Sequence, residues 1–200
     1  MADDELVVVP GTPDRLDDVI AILGGNQEAC LCQYWRLSSG AFNRARGPRR
    51  VRLLRAQLGE DPPAGMIAYL GDEPVGWCGF GVRQRVERLV RSRTIPAIDD
   101  RPVWSIYCFT VRTGHRRKGI ARALLAGLVD YARDSGAPAL EAYPVETAGL
   151  RIHGTAAYVG VASMFVDAGF VRVVETGARS DHLPRTLMRL ELSDTRHSRN

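Results

Sequence analysis

The residues best suited to chemistry in this 200-residue chain lie in one short run, His115-Arg116-Arg117-Lys118-Gly119-Ile120-Ala121. Cations crowd up to a glycine, and after it Ile120, Leu124, Leu125, Leu128 and Ala132 recur on one face of a 3.6-residue period. That spacing predicts a helix from about Ile120 to Arg133, stopped by Gly136 and Pro138. Upstream, Val103 to Val111 reads as a strand. A strand that feeds a basic, glycine-containing turn into a helix makes an anion site. The first N–H groups of the helix lack intrahelical partners, and its dipole favours negative charge there. Gly119 would let the backbone approach a phosphate closely, with Arg116, Arg117 and Lys118 adding charge. The plainer reading is a solvated basic βα-loop. Two other phosphate cradles drop out, because the chain has neither G-x-x-x-x-G-K-[ST] nor G-x-G-x-x-G.

Composition narrows the class. With 45% apolar residues, 200 residues suffice for one full core, and we expect a single domain over 1–192 followed by a polar tail, 193–200. No apolar run approaches a membrane span, and the acidic start Met-Ala-Asp-Asp-Glu is unlike a signal peptide, so the expected location is cytoplasmic, without membrane association. Cys30, Cys32, Cys78 and Cys108 fit reduced thiols in that compartment. The C-x-C spacing of Cys30 and Cys32 is too tight for a zinc knuckle, and no metal is expected. A formal charge of +4 favours an anionic ligand.

The elements that must position the basic run follow in order. Leu6 to Val9 is a first strand, and Thr12-Pro13-Asp14 opens a helix through Leu16, Val19, Ile20 and Leu23. Cys30 to Arg36 mixes thiols, aromatics and an arginine without clear period; it reads as a hydrophobic corner or as one wall of a pocket. Arg44 to Arg55 predicts a helix with a cationic outer face. Met66 to Leu70 and Val75 to Val82 form a hairpin across Gly71-Asp72-Glu73-Pro74. The arginine-rich stretch Arg83 to Arg93 predicts a short helix. Beyond the central helix, Ala139 to Val145 is a strand, a helix runs through Ala162 and Met164 to Ala168, and Val171 to Val174 pairs with Leu187 to Leu192.

This order resembles the GCN5-related N-acetyltransferase (GNAT) family. Arg116-Arg117-Lys118-Gly119-Ile120-Ala121 fits the family's acetyl-CoA motif Q/R-x-x-G-x-G/A, and Met164 to Phe170 fits its closing Y-x-x-x-G-F. The resemblance is close over residues 103–174. It implies an α/β (α+β) fold: a mixed, mostly antiparallel central sheet of six to seven strands, flanked by helices and splayed between the fourth and fifth. It also implies acetyl-CoA as acyl donor. Backbone amides from Arg117 to Ala121 would hold the pyrophosphate, with Arg116 beside them. The Phe109-Thr110-Val111 backbone would pair with the pantetheine arm, and an amide of that strand would polarise the thioester carbonyl.

For catalysis, Leu140-Glu141-Ala142-Tyr143 resembles the L-E-V-R run of the ribosomal-protein N-acetyltransferase branch, whose glutamate serves as base, so Glu141 is the expected base. The family's usual tyrosine acid is Phe165 here, which cannot donate a proton. Tyr158 and Ser163 offer hydroxyls nearby. The segment Glu146 to Ala157 is longer than in the compact branch and contains His153, a second candidate base that would otherwise be solvated. Gln33, Trp35, Tyr143 and His153 are the expected acceptor-side residues. The function implied is acetyl transfer to a primary amine of a small molecule or peptide. Two alternatives stay open: an acyl-CoA-binding domain without catalysis, and transfer to an RNA-borne amine. For nucleic acid itself no recognition motif is present, and a homodimer is left open.

Overall fold

The computed structural model describes residues 5–24, 29–150 and 157–192. The strand-like runs form one seven-stranded sheet from β1 (Leu6–Pro10), β2 (Gly65–Leu70), β3 (Glu73–Val82), β4 (Trp104–Val111), β5 (Ala139–Ala142), β6 (Val171–Ser180) and β7 (Leu183–Glu191). Their order is β1-β2-β3-β4-β5-β7-β6, antiparallel throughout except for the β4–β5 pair. The described helices are α1 (Leu16–Leu23), α2 (Gln33–Arg36), α3 (Ser39–Arg44), α4 (Pro48–Leu58), α5 (Glu87–Val90), α6 (Ile120–Asp134) and α7 (Ala162–Asp167). None is long and apolar enough to cross a membrane.

The two faces of the sheet carry separate cores. On the first face, Ile120, Leu124, Leu125 and Leu128 of α6 and Phe165 of α7 pack with Ala68, Cys78, Phe80, Ile106, Leu140 and Met188. Burying each large aliphatic side chain there contributes about 1.5–3 kcal/mol. Small residues let α6 lie close to the strands: a Cβ on Gly127 would come within 2.7 Å of Val8 Cγ1, and one on Gly76 within 2.7 Å of Ile120 Cγ2. On the second face, α1, α4 and the corner at Leu31-Cys32 cover Ile67, Trp77, Tyr107, Tyr143 and Leu187. Leu31 and Cys32 take left-handed backbone angles (φ 47° and 58°) at that corner. The segment is both a buried corner and a cavity wall, as shown below.

The sheet opens at its centre. β4 and β5 pair only through Trp104–Leu140, Ser105–Glu141 and Ile106–Ala142. The sequence predicts β5 as far as Val145, but Pro144 has no N–H and interrupts the ladder. Val145 makes only isolated bridges, to Val161 and Arg185. β4 continues to Val111 without β5 beside it. Opposite Gly79 and Phe80 the register of β4 jumps from Cys108 to Ile106, a bulge at Tyr107.

Other elements depart from the pattern in the sequence. β6 and β7 run well past the predicted pair and meet at Asp181-His182, both with positive φ (49° and 63°), as a two-residue hairpin turn requires. Much of β6 is exposed, so no apolar alternation marked it. The stretch Arg83 to Arg93 is a 3-10 turn and the short α5 rather than one helix. The cationic helix begins at Pro48, a favourable first position, after α3 has ended at Arg44.

The contact of Gly127 with Val8 gives a test of the packing. Gly127→Ala should lower stability by about 1–3 kcal/mol in urea unfolding, despite the better helix propensity of alanine. In a Val8→Ala background the same change should cost measurably less.

Candidate active site

The basic run forms the loop its composition suggests. Gly119 is the N-cap of α6 in a left-handed conformation (φ 81°), and no side chain caps the helix. The N–H groups of the first turn are therefore offered outward. Arg117 also has positive φ (63°), and alternating backbone handedness of this kind turns successive N–H groups into an anion nest. A Cβ on Gly119 would meet nothing within 4 Å, so its conformation and the space above it, rather than a neighbour, call for glycine. A cavity of about 320 Å³ lies over this turn, lined by Val111, Arg116, Arg117, Gly119, Ile120 and Ala121 on one side and Val161 and Met164 on the other. His115 also borders it, with Nε2 3.5 Å from Glu73 Oε2 and a buried Nδ1 lacking a hydrogen-bond partner. Lys118 is exposed on the loop and does not line the cavity.

β4 leads from this cavity into the open centre. Arg112 N donates to Val75 O at 2.9 Å. The antiparallel alternation then pairs Thr110 and Cys108 with β3 and turns the amides and carbonyls of Phe109 and Val111 the other way, where β5 is absent. Val111 O accepts one long bond, from Arg116 Nε at 3.4 Å. The bulge sends successive side chains, Tyr107 and Cys108, to the second face, while Phe109 packs on the first.

A second cavity, about 410 Å³, lies on that second face. Cys30, Cys32, Tyr34, Trp35, Phe42, Cys108 and Tyr158 line it, so its wall is almost wholly apolar. Tyr158 stands in the 3-10 turn Ala157–Val159, which packs against β4. Burial raises the Tyr158 hydroxyl above the usual tyrosine value, only partly offset by Arg185. Trp35 is shared with a further cavity of about 600 Å³ bordered by Ser38, Arg88, Thr94 and Arg185.

The residues expected to do the chemistry are distributed unevenly. Glu141 is fully buried at the base of the opening. Its Oε1 accepts from Arg189 Nη2 at 2.5 Å and Nε at 3.1 Å, and its Oε2 accepts from Tyr143 OH at 3.0 Å with Arg83 Nε 3.6 Å away. Tyr143, also fully buried, shares a 2.9 Å hydrogen bond with Ser105 Oγ, and neither Glu141 nor Tyr143 lines a cavity described above. Gln33 is buried too, its Nε2 donating to Leu31 O and Gln57 Oε1. Ser163 is exposed on α7 and lines none of these cavities. His153 lies outside the described residues. Phe165, in place of the tyrosine, is fully buried between Phe109 and Phe170, with ring centroids 6.1 and 5.2 Å away. Among the described residues no group of histidines, cysteines and carboxylates is placed to hold a metal.

The model of the Acetyltransferase (GNAT) family matches residues 31–157, more than half of the chain. The chain belongs to the GNAT family. Solved structures agree in fold. A GNAT-family acetyltransferase from Streptococcus pneumoniae matches at 18% identity and a TM-score of 0.55, covering 94% of this chain and 100% of its own. An acetyltransferase from Salmonella typhimurium, solved with its cofactor acetyl-CoA, matches at 16% identity and 0.55, covering 97% and 96%. The NatC complex bound to Gag peptide and CoA contributes a chain that matches at 15% identity and 0.55, covering 94% and 99%. No curated protein sequence matches. The mixed sheet with its single parallel pair and its divergence after that pair is the GNAT fold.

What the family motif left out is the second-face wall. Tyr34, Phe42, Cys108 and Arg185 come from four separate segments and carry no common spacing, so only folding brings them together.

The ion network predicts how Glu141 behaves when changed. Glu141→Gln should leave Arg83 facing no charged carboxylate and Arg189 with Asp99 and Glu191 alone, and cost about 3–5 kcal/mol in chemical unfolding. A large rate loss at undiminished stability would instead point to acid–base work. Asp99 makes a complementary test. Its hydrogen bond with Arg189 (2.5 Å) holds its carboxyl well below the usual range. A lowered folded pKa contributes stability above the unfolded value of about 3.9, and that contribution disappears as pH falls toward the folded value. Asp99→Asn should therefore flatten the acid limb of the stability–pH curve.

Proposed function

We propose that this protein transfers the acetyl group of acetyl-CoA to a primary amine of a small molecule or peptide. One arrangement supports this reading above all: an anion cradle on the first face, an apolar cavity on the second, and between them the unpaired edge of β4. The cradle suits a pyrophosphate, with Arg116, Arg117 and the uncapped amides of α6 as donors. The outward backbone groups of Phe109 and Val111 suit an amide-bearing arm laid along β4 in place of a strand. Donor and acceptor would then meet across the sheet beside Cys108 and Tyr158.

Bound there, acetyl-CoA supplies an activated thioester. In the transfer, the amine nitrogen bonds to the carbonyl carbon, the carbon–sulfur bond breaks, and its electron pair leaves on sulfur. Nitrogen must lose a proton and sulfur must gain one. An outward amide of β4 would donate to the carbonyl oxygen as charge develops on it. We assign the proton for sulfur to Tyr158, which borders the cavity beside β4 and whose raised pKa keeps it protonated at neutral pH. We assign Glu141 to anchoring rather than to proton removal, because both of its oxygens are engaged and it lines none of the cavities described above. The amine would then attack from its own neutral fraction, so kcat/KM should rise with pH until the amine's pKa is passed.

The reading of a non-catalytic acyl-CoA-binding domain draws on Phe165, which cannot replace the family's tyrosine. Thiol release from acetyl-CoA against an amine panel separates the two: CoA affinity with no release for any amine would favour the binding domain. Gly119→Glu should abolish acetyl-CoA binding in calorimetry, since it puts bulk and negative charge where the pyrophosphate would sit; unchanged affinity would remove the cradle assignment. Tyr158→Phe should lower kcat about 100-fold with acetyl-CoA affinity retained. A variant that keeps full kcat would take the acid role from Tyr158.

A further inference from the structure

Arg185 differs from Arg189, Arg83 and Arg36 in its partners. Arg189 and Arg83 face Glu141, and Arg36 lies 3.6 Å from Glu60. Arg185 is 5% exposed, yet among the described residues it has no carboxylate partner. Its Nε donates to Tyr143 O at 2.7 Å, its guanidinium lies 5.5 Å from the Trp35 ring centroid, and its Nη2 is buried with no hydrogen-bond partner. Trp35 Nε1, beside the same cavity, is also buried without one. Burial lowers the pKa of Arg185 from the usual guanidinium value, the mark of a charge held without a counter-charge. Native structures seldom keep a desolvated cation and its neighbouring donor unsatisfied unless something else answers them.

The cavity beside these donors favours an anion. Arg185 borders the 600 Å³ space with Ser38, Arg88, Arg91, Ser92 and Thr94, and no acidic residue lines it among the described residues. Arg185 also borders a fourth cavity near Glu146, but Glu146 is occupied by Arg172, whose Nε donates to it at 2.6 Å. Tyr34 and Trp35 separate the cationic space from the apolar one that reaches Cys108 and Tyr158. Read from β4 outward, the second face therefore presents the open strand edge, then an aromatic wall, then an unpaired guanidinium.

We propose that the acceptor is an amine whose apolar body carries a carboxylate. The apolar body packs against Tyr34, Trp35, Phe42 and Tyr158. The carboxylate takes the free Nη2 of Arg185, and the amine is left toward β4. Arg88 and Arg91 also line the space, but Arg88 Nε donates to Tyr34 O and Arg91 pairs with Glu87, so one buried guanidinium is left for the ligand, which matches the single charge of a carboxylate better than the two of a phosphate monoester. The same walls disfavour polyamines, because no carboxylate lines either cavity among the described residues. This inference rests on the acetyl-transfer reading given above.

The test uses amine pairs that differ only in a carboxylate at the far end of the apolar body: 4-(aminomethyl)benzoate against benzylamine, and 6-aminohexanoate against pentylamine, with spermidine and aminoethyl phosphate alongside. In the wild-type protein the carboxylated member of each pair should release CoA thiol with kcat/KM at least about 10-fold higher. In Arg185→Met that ratio should fall toward one, chiefly through the KM of the carboxylated amine, and Arg185→Lys should restore part of it. Equal rates within pairs, or a preference for spermidine or aminoethyl phosphate, would overturn the proposal while leaving acetyl transfer intact. Should no amine release thiol, the transferase reading fails first, and calorimetry with phenylacetate and 2-phenylethanol decides the anion site by itself. Binding of phenylacetate alone supports it; equal binding of both, or of neither, sinks it. These wild-type comparisons also stand if the Arg185 variants do not fold.

Discussion

Between Ile106 and Val111 the fourth strand has a partner on only one side. A backbone edge inside a sheet carries N–H and C=O groups that need partners, and here those of Phe109 and Val111 turn toward the gap, where Val111 O accepts a long bond from Arg116 Nε. The gap arises because β5 ends at Ala142 and Pro144 cannot extend the ladder. The neighbouring features depend on this divergence. The basic loop begins where the unpaired strand ends, and the bulge at Tyr107 turns Cys108 toward the second face. The turn carrying Tyr158 packs against β4.

A divergence of this kind needs a rigid base, and the ion network below it provides one. Ser105 and Glu141 face each other in the short parallel pair, and Tyr143 ties them together. Arg189 from β7 and Arg83 from the end of β3 close on the carboxylate from either side. Removing one member of such a set strands the others in a medium that solvates them poorly. The glutamate at the motif position is thus held by its neighbours on both oxygens.

The elements nearest the basic run were the easiest to read. α6 shows a long apolar stripe between a glycine N-cap and Gly136-Pro138, so its period and ends are local properties. The cradle follows from those ends, because an uncapped helix N-terminus beside cations has one electrostatic character wherever it occurs. β6 was read short because its exposed residues alternate little. β5 was read long because Ala139 to Val145 has strand composition, and the effect of Pro144 shows only against a partner. Gln33, Tyr143 and Ser163 illustrate a further limit. Whether a polar side chain faces a cavity, the core or solvent depends on elements distant in the chain, and these three ended in the core, the core and solvent.

The sequence by itself determined the fold family and the unit on which we propose the donor sits: a strand, a basic glycine turn and an amphipathic helix, contiguous from Trp104 to Asp134. Local hydrogen-bonding requirements and one helical period suffice to specify that unit. Tertiary structure alone decided the rest. It buried Glu141 among arginines, put Phe165 into an aromatic cluster, and gathered Tyr34, Trp35, Phe42, Cys108, Tyr158 and Arg185 along the second face. Desolvation and charge pairing depend on which groups end up adjacent in space. Those adjacencies come from sheet order and from the gap between β4 and β5, which no spacing in the chain records.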